Sequence, residues 1–253
     1  MPDTAAFAKY LPNFFFIMVR AGIFLSMIPF FSSKNFPVQF KIGFLLAISL
    51  ILTPVVEFRI GEASLPLLVM KEVVFSMVLG LSVRFVFLAF EMAGQIMSNT
   101  MGLSIATVFN PEFGQSTEIA QLQGIIAMLL FLAMDAHHDL IYIFVKSYDI
   151  LPAGQINVNA LMPEAVALIG KMFVIGLKLA APVTVGMVIV QFLLGFLYKA
   201  APQMNIFFVS FPIYIVLGFL VMLLSLPVLI HVLEGSFGDI REEMMRIISL
   251  AKG

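Results

Sequence analysis

The chain has 253 residues, of which 61% are hydrophobic and 11% charged, with a formal net charge of −1. Soluble domains carry about 25% charged residues, so this chain cannot cover a water-facing surface by itself. The balanced charge excludes the basic field that nucleic acid requires, and the absence of cysteine excludes disulfides and thiolate chemistry.

The N-terminus does not read as a cleaved signal. Asp3 weakens a positive leader, and no small-residue cleavage site follows the first apolar run. Residues 14–31 are apolar except for Arg20, and Pro29 breaks the run before a polar loop with Lys34, Asn35 and Pro37. Residues 42–56 are uncharged and end near Pro54, ahead of Glu57, Arg59 and Glu62. Residues 65–90 are apolar but carry Lys71, Glu72 and Arg84.

Residues 92–117 are the most informative stretch. Gln95, Ser98, Asn99, Thr100, Ser104 and Thr107 are uncharged polar groups between apolar runs, and Gly94, Gly102, Pro111 and Gly114 punctuate them. Lipid does not tolerate irregular backbone with polar side chains unless protein or a water path surrounds it. The segment is therefore expected to build a pathway. Asn110-Pro111 disfavours helix and starts a turn, Gly114 permits a second bend, and Phe109 and Phe113 flank the break as obstructing rings. Met97 and Met101, with Gln95 and Asn99 beside them, are candidate pore-lining or sealing residues, since methionine conforms to varied shapes.

Residues 119–134 are apolar again, closed by Asp135, His137, His138 and Asp139. Adjacent histidines on a helix point about 100° apart, so they are not expected to converge on an ion as i, i+4 histidines would. Residues 140–145 are a short apolar stretch, and 151–163 read as a loop. Residues 165–198 are apolar with Lys171 and Lys178, seven apart and so on one helical face. Residues 200–233 lack Asp, Glu, Lys and Arg, and Pro202, Pro212 and Pro227 predict a kinked hairpin there. The tail from Glu234 is amphipathic, and its mixed charge gives only a mild preference for a cytoplasmic C-terminus.

The runs are too long for barrel strands and show no alternation, so the fold class is all-α: a hydrophobic, membrane-associated bundle of kinked helical hairpins. No linker interrupts the chain, which reads as one domain over residues 1–253. Tryptophan is absent, leaving a thin aromatic belt and suggesting that much of the chain contacts protein rather than lipid. Arg20, Lys71, Glu72, Arg84, Glu91, Lys171 and Lys178 lie inside or beside apolar runs. An ionisable group deep in lipid costs about 2.5 kcal/mol or more, so each is expected to face a partner, a lumen or the interface. Arg84, Glu91, Lys171 and Lys178 are the candidate partner-facing charges. Glu112 and Glu118 lack a nucleophile, phosphate loop or metal frame, so no catalytic site is expected.

Three stretches carry a family resemblance. They are VRAGIFLSMIPFFSSKNFPVQFKIGFLLAISLILTPVV (19–56), MGLSIATVFNPEFGQSTEIAQLQ (101–123) and APVTVGMVIVQFLLGFLYKAAPQMNIFFVSFPIYIVLGF (181–219). Within the last, AAPQMN at 200–205 is the most distinctive. Along nearly its whole length the chain resembles the FliR family of flagellar type III export-gate proteins. The resemblance implies a FliP-like part followed by a FliQ-like part. It also implies a non-enzymatic pore subunit, without cofactor or metal, that assembles with FliP and FliQ in a helical complex. Unfolded flagellar substrates would pass through that channel, with FlhB and FlhA as further partners. The implied location is the bacterial inner membrane, in the flagellar basal body, with the assembled core largely above the membrane plane. A loop of this subunit would help close the pore, and Phe109, Asn110, Pro111, Phe113 and Gly114 occupy that place. Two other readings compete: a secondary transporter with 92–117 as its discontinuous site, and a membrane scaffold in which the polar segment only packs.

Overall fold

The computed structural model describes residues 4–32, 37–56, 64–103, 118–152, 155–203 and 205–252. These form eight helices, and no strand occurs among them. They are α1 (Thr4–Met27), α2 (Pro29–Ser32), α3 (Val38–Leu52), α4 (Leu65–Thr100), α5 (Glu118–Ala133), α6 (Ala136–Ile150), α7 (Val158–Ala200) and α8 (Ile206–Lys252). Helix satisfies each backbone group within its own segment, which is what apolar surroundings demand. The chain is an all-α hydrophobic bundle, and four of its helices are long and apolar enough to cross a membrane.

Several boundaries differ from the sequence expectation. The polar run after residue 92 stays helical to Thr100, because its polar groups recur at helical spacing and do not break the backbone. The expected loop at 151–163 is shorter, since α7 starts at Val158 and takes in Pro163. Residues 200–233 do not form a hairpin of their own. The chain turns near Pro202, and Pro212 and Pro227 both lie inside α8. Each proline removes one ladder bond, which a 47-residue helix absorbs without ending.

The chain divides into two compact units. The first comprises residues 1–85, 135–170 and 238–253, and the second residues 86–134 and 171–237. In the first, α1 packs on α3, and Asn13 donates its side-chain amide to the Val56 carbonyl at 3.0 Å. Phe24 and Phe144 stack with centroids 4.9 Å apart. The centre is polar, however. Arg20 and Glu72 are both fully buried and form a two-point pair, Nε–Oε2 at 2.8 Å and Nη2–Oε1 at 2.9 Å. The guanidinium also donates to Ser147 Oγ and the Leu151 carbonyl, and lies against the rings of Phe75 and Tyr148. Every face of the cation is therefore covered by an acceptor or a ring, the condition under which a buried charge is tolerated.

In the second unit, Phe87, Phe131 and Phe237 surround one another with centroids 5.4–5.5 Å apart, and Phe90 stacks on Phe237. Helix–helix approach rests on small residues, as is usual for apolar helices. A Cβ on Gly94 of α4 would lie 2.5 Å from Ala120 Cα of α5. One on Gly186 of α7 would lie 2.7 Å from the Val221 side chain of α8, so these two helices touch at this point.

Candidate functional site

The C-terminal half of α4 carries five of the residues that the sequence singles out, Arg84, Glu91, Gln95, Met97 and Asn99. Its two sides have different chemistry. Glu91, Gln95 and Asn99, spaced by four residues, are exposed and form one polar stripe. Ala93, Gly94, Met97, Ser98 and Met101 are buried on the other side. The helical period thus splits the four candidate lining residues: Gln95 and Asn99 face outward, whereas Met97 and Met101 sit in the interior of the second unit.

The methionines have defined neighbours. The Gln123 side-chain amide lies 3.7 Å from Met97 Sδ. The Met101 side chain fills the space where Gly218 of α8 has no Cβ, at 2.6–3.1 Å from the position such an atom would take. Gln123 is 1% exposed, and neither its Oε1 nor Ser98 Oγ has a hydrogen-bond partner among the described residues. This interior is therefore apolar and deformable in its methionines yet holds buried polar atoms, a combination uncommon in a purely structural core. Gln123 and Gly218 were not legible as part of this site. For Gln123 the signal is a pair of amides, Gln121 and Gln123, in an apolar run; for Gly218 there is none.

The end of α4 is built to turn. Gly102 has φ +76°, a left-handed conformation that glycine adopts freely. The Leu103 N–H donates to the Ser98 carbonyl at 3.0 Å, and the Gly102 N–H donates to the Asn99 carbonyl at 3.2 Å. That is the paired pattern of a Schellman C-terminus. Gln191 Nε2 donates to the Thr100 carbonyl at 3.2 Å, satisfying one more open helix end. The termination thus fixes where the chain leaves α4 and enters residues 104–117. Phe109, Asn110, Pro111, Phe113 and Gly114 lie outside the described residues.

The candidate partner-facing charges occupy different settings. Arg84 is half-buried and donates Nη1 to Ser32 Oγ at 3.0 Å, and Glu91 is exposed. Lys171 and Lys178 are exposed on α7 amid Phe173, Val174 and Leu177, each at least half exposed. Two cations thus stand on an otherwise apolar outer face. Lys71 lines a cavity of about 550 Å³ with Gln155, Asn157 and Asn159 in the first unit.

Comparison with known proteins places this architecture. Residues 11–240 match the family described as "Bacterial export proteins, family 1". The chain is 31% identical to the flagellar biosynthetic protein FliR of Caulobacter vibrioides over 83% of this chain and 86% of that protein. It is 29% identical to FliR of Pectobacterium carotovorum over 95% of this chain and 94% of that one. It is also 29% identical to FliR of Bacillus subtilis, over 94% and 95% respectively. The chain belongs to bacterial export protein family 1, among the FliR proteins, as a membrane protein of the flagellar export apparatus.

Proposed function

We propose that the chain is the non-enzymatic pore subunit of a flagellar type III export gate, assembled with FliP- and FliQ-type subunits in the bacterial inner membrane at the flagellar basal body. The observation that carries this reading is the family match over residues 11–240, joined to the exposed apolar faces of α7 and α8. Such faces require cover by lipid or by other subunits. The α7–α8 pair corresponds to the FliQ-like part and the preceding helices to the FliP-like part. FlhB- and FlhA-type proteins are further partners, and unfolded flagellar substrates are the cargo. Residues 104–117 help close the channel, held at one end by the Schellman turn at Gly102.

The test is co-expression and purification. The chain carrying an affinity tag is expected to recover FliP- and FliQ-type subunits in fixed ratio, and a strain lacking the chain is expected to export no flagellar substrate. Recovery of a homo-oligomer with no other subunit, together with normal export in the deletion strain, would overturn the reading and favour a transporter.

A further inference from the structure

We propose that Asp135, His137 and His138 form a surface site for a late first-row divalent cation of the zinc class, at the start of α6. One donor atom from each of the three residues lies within 4.8 Å of the others. His138 Nδ1 and Asp135 Oδ1 are 3.4 Å apart. In a tetrahedral site with bonds of about 2.0–2.1 Å, neighbouring ligand atoms are roughly 3.4 Å apart. One edge of the tetrahedron is already set, and the third donor, from His137, closes the set by a change of rotamer.

The two histidines converge in spite of their adjacency because they lie in the first turn of a helix. No preceding turn crowds their side chains, so rotamers excluded from a helix interior are open to them. Their rings lie with centroids 4.1 Å apart. The backbone at Asp135 is consistent with this placement of its carboxylate. Asp135 is in the left-handed region, φ 56°, and stands at the N-cap of α6 without a side-chain capping bond. An aspartate there ordinarily gives its carboxylate to the second or third helical N–H. Here the carboxylate turns to the imidazole instead.

The donor set selects the cation. Two imidazoles and one carboxylate suit Zn²⁺ and its neighbours, whereas Ca²⁺ and Mg²⁺ require oxygen cages. The side chains of His138 and Asp135 are 71% and 75% exposed, so a hydrated cation reaches them and water takes the remaining position. The positive N-terminal end of α6 opposes the cation, and the carboxylates of Asp135 and Asp139 offset it. Asp139 lies 3.7 Å from Arg241, which draws part of its charge away and leaves Asp135 as the anionic ligand. When bound, the cation would staple the first turn of α6 to the residue that opens it.

The probe is Co²⁺, whose visible absorption is strong in four-coordinate and weak in six-coordinate sites. It is titrated into the full chain, without a histidine tag, in the detergent-solubilised assembly in which it is stable. The expected result is one saturable equivalent per chain with the four-coordinate spectrum, displaced by Zn²⁺. His138→Ala and Asp135→Ala should each weaken binding at least as much as loss of an outer-shell partner does, about 10–100-fold. His231→Ala, which removes the remaining histidine, should leave the spectrum unchanged. These positions are exposed, so helix content by circular dichroism should match the parent. Absence of a saturable four-coordinate band, or a band that persists when His137 and His138 are both alanine, would overturn the site.

Discussion

Arg20 shows how a single residue is constrained in this chain. The sequence marks Arg20 and Glu72 only as charges stranded in apolar runs, which says that each needs a partner but not which one. Pairing across 52 residues is set by how α1 and α4 meet, and one chain's periodicity does not contain that. With both groups at 0% exposure, removing one leaves the other charge buried and unmatched. Arg20→Ala or Glu72→Ala is expected to lose about 3–5 kcal/mol, whereas Arg20→Met with Glu72→Leu should lose less than either single change. Thermal unfolding in detergent checks the order of the three. Lys171 and Lys178 pose the opposite problem, being exposed among apolar neighbours. Replacing both with leucine removes a penalty for insertion of about 2.5–3.5 kcal/mol per lysine at mid-membrane depth. Membrane insertion should therefore hold or improve, while complex yield or motility falls because a partner-facing cation is lost. Unchanged yield and motility would assign both lysines to simple snorkelling.

At the scale of the element, α4 was the most legible part and also the most misread. Its apolar run and its charges are plain. Its extension through Met97 to Thr100 is not, because polar residues beside glycine read equally as broken backbone. Four-residue spacing of Glu91, Gln95 and Asn99 was the signal for helix, and it also separates the exposed stripe from the buried methionines. Gly94 tests the packing of this half. An alanine there meets the backbone of α5 at 2.5 Å, so Gly94→Ala should destabilise by about 1–3 kcal/mol. Gly43→Ala on α3 meets nothing within 4 Å and should gain up to about 1 kcal/mol from helix propensity. Comparing the two melting temperatures separates packing from propensity. Beyond Gly102, the expectation for the loop rests on sequence. Two large apolar rings in a narrow passage exclude water and ions without any salt bridge. Phe109→Ala with Phe113→Ala, or deletion of 110–115, should make cells that carry the assembled complex permeable to small solutes, with complex yield unchanged. Normal yield with no added leak would assign the seal to another subunit.

For the molecule as a whole, the question is what covers its surface. In the apolar window of α4, 61% of residues are buried, against 28% in α7 and 22% in α8. A composition with 11% charge excludes a solvated exterior, and the two longest helices carry a large share of the uncovered apolar surface, with α3 and α5 adding to it. At about 1.5 Å per residue, the 43 residues of α7 and 47 of α8 have contour lengths of roughly 65 and 70 Å. A bilayer core is only about 30 Å thick, so one upright crossing covers less than half of either helix. Leu224 at 72%, Phe192 at 67% and Val166 at 70% exposure mark faces spread along that length. In the proposed assembly, other subunits cover the apolar remainder, since large exposed apolar patches are rare on stable monomers. Expressed without FliP- and FliQ-type subunits, the chain is therefore expected to aggregate in mild detergent or to be degraded. Co-expression should restore a monodisperse particle and protect α7 and α8 from protease. Size-exclusion chromatography with limited proteolysis reads both outcomes. A lone chain that is monodisperse, fully helical and protease-resistant would mean that its own fold and lipid suffice, and the argument from helix length would fail.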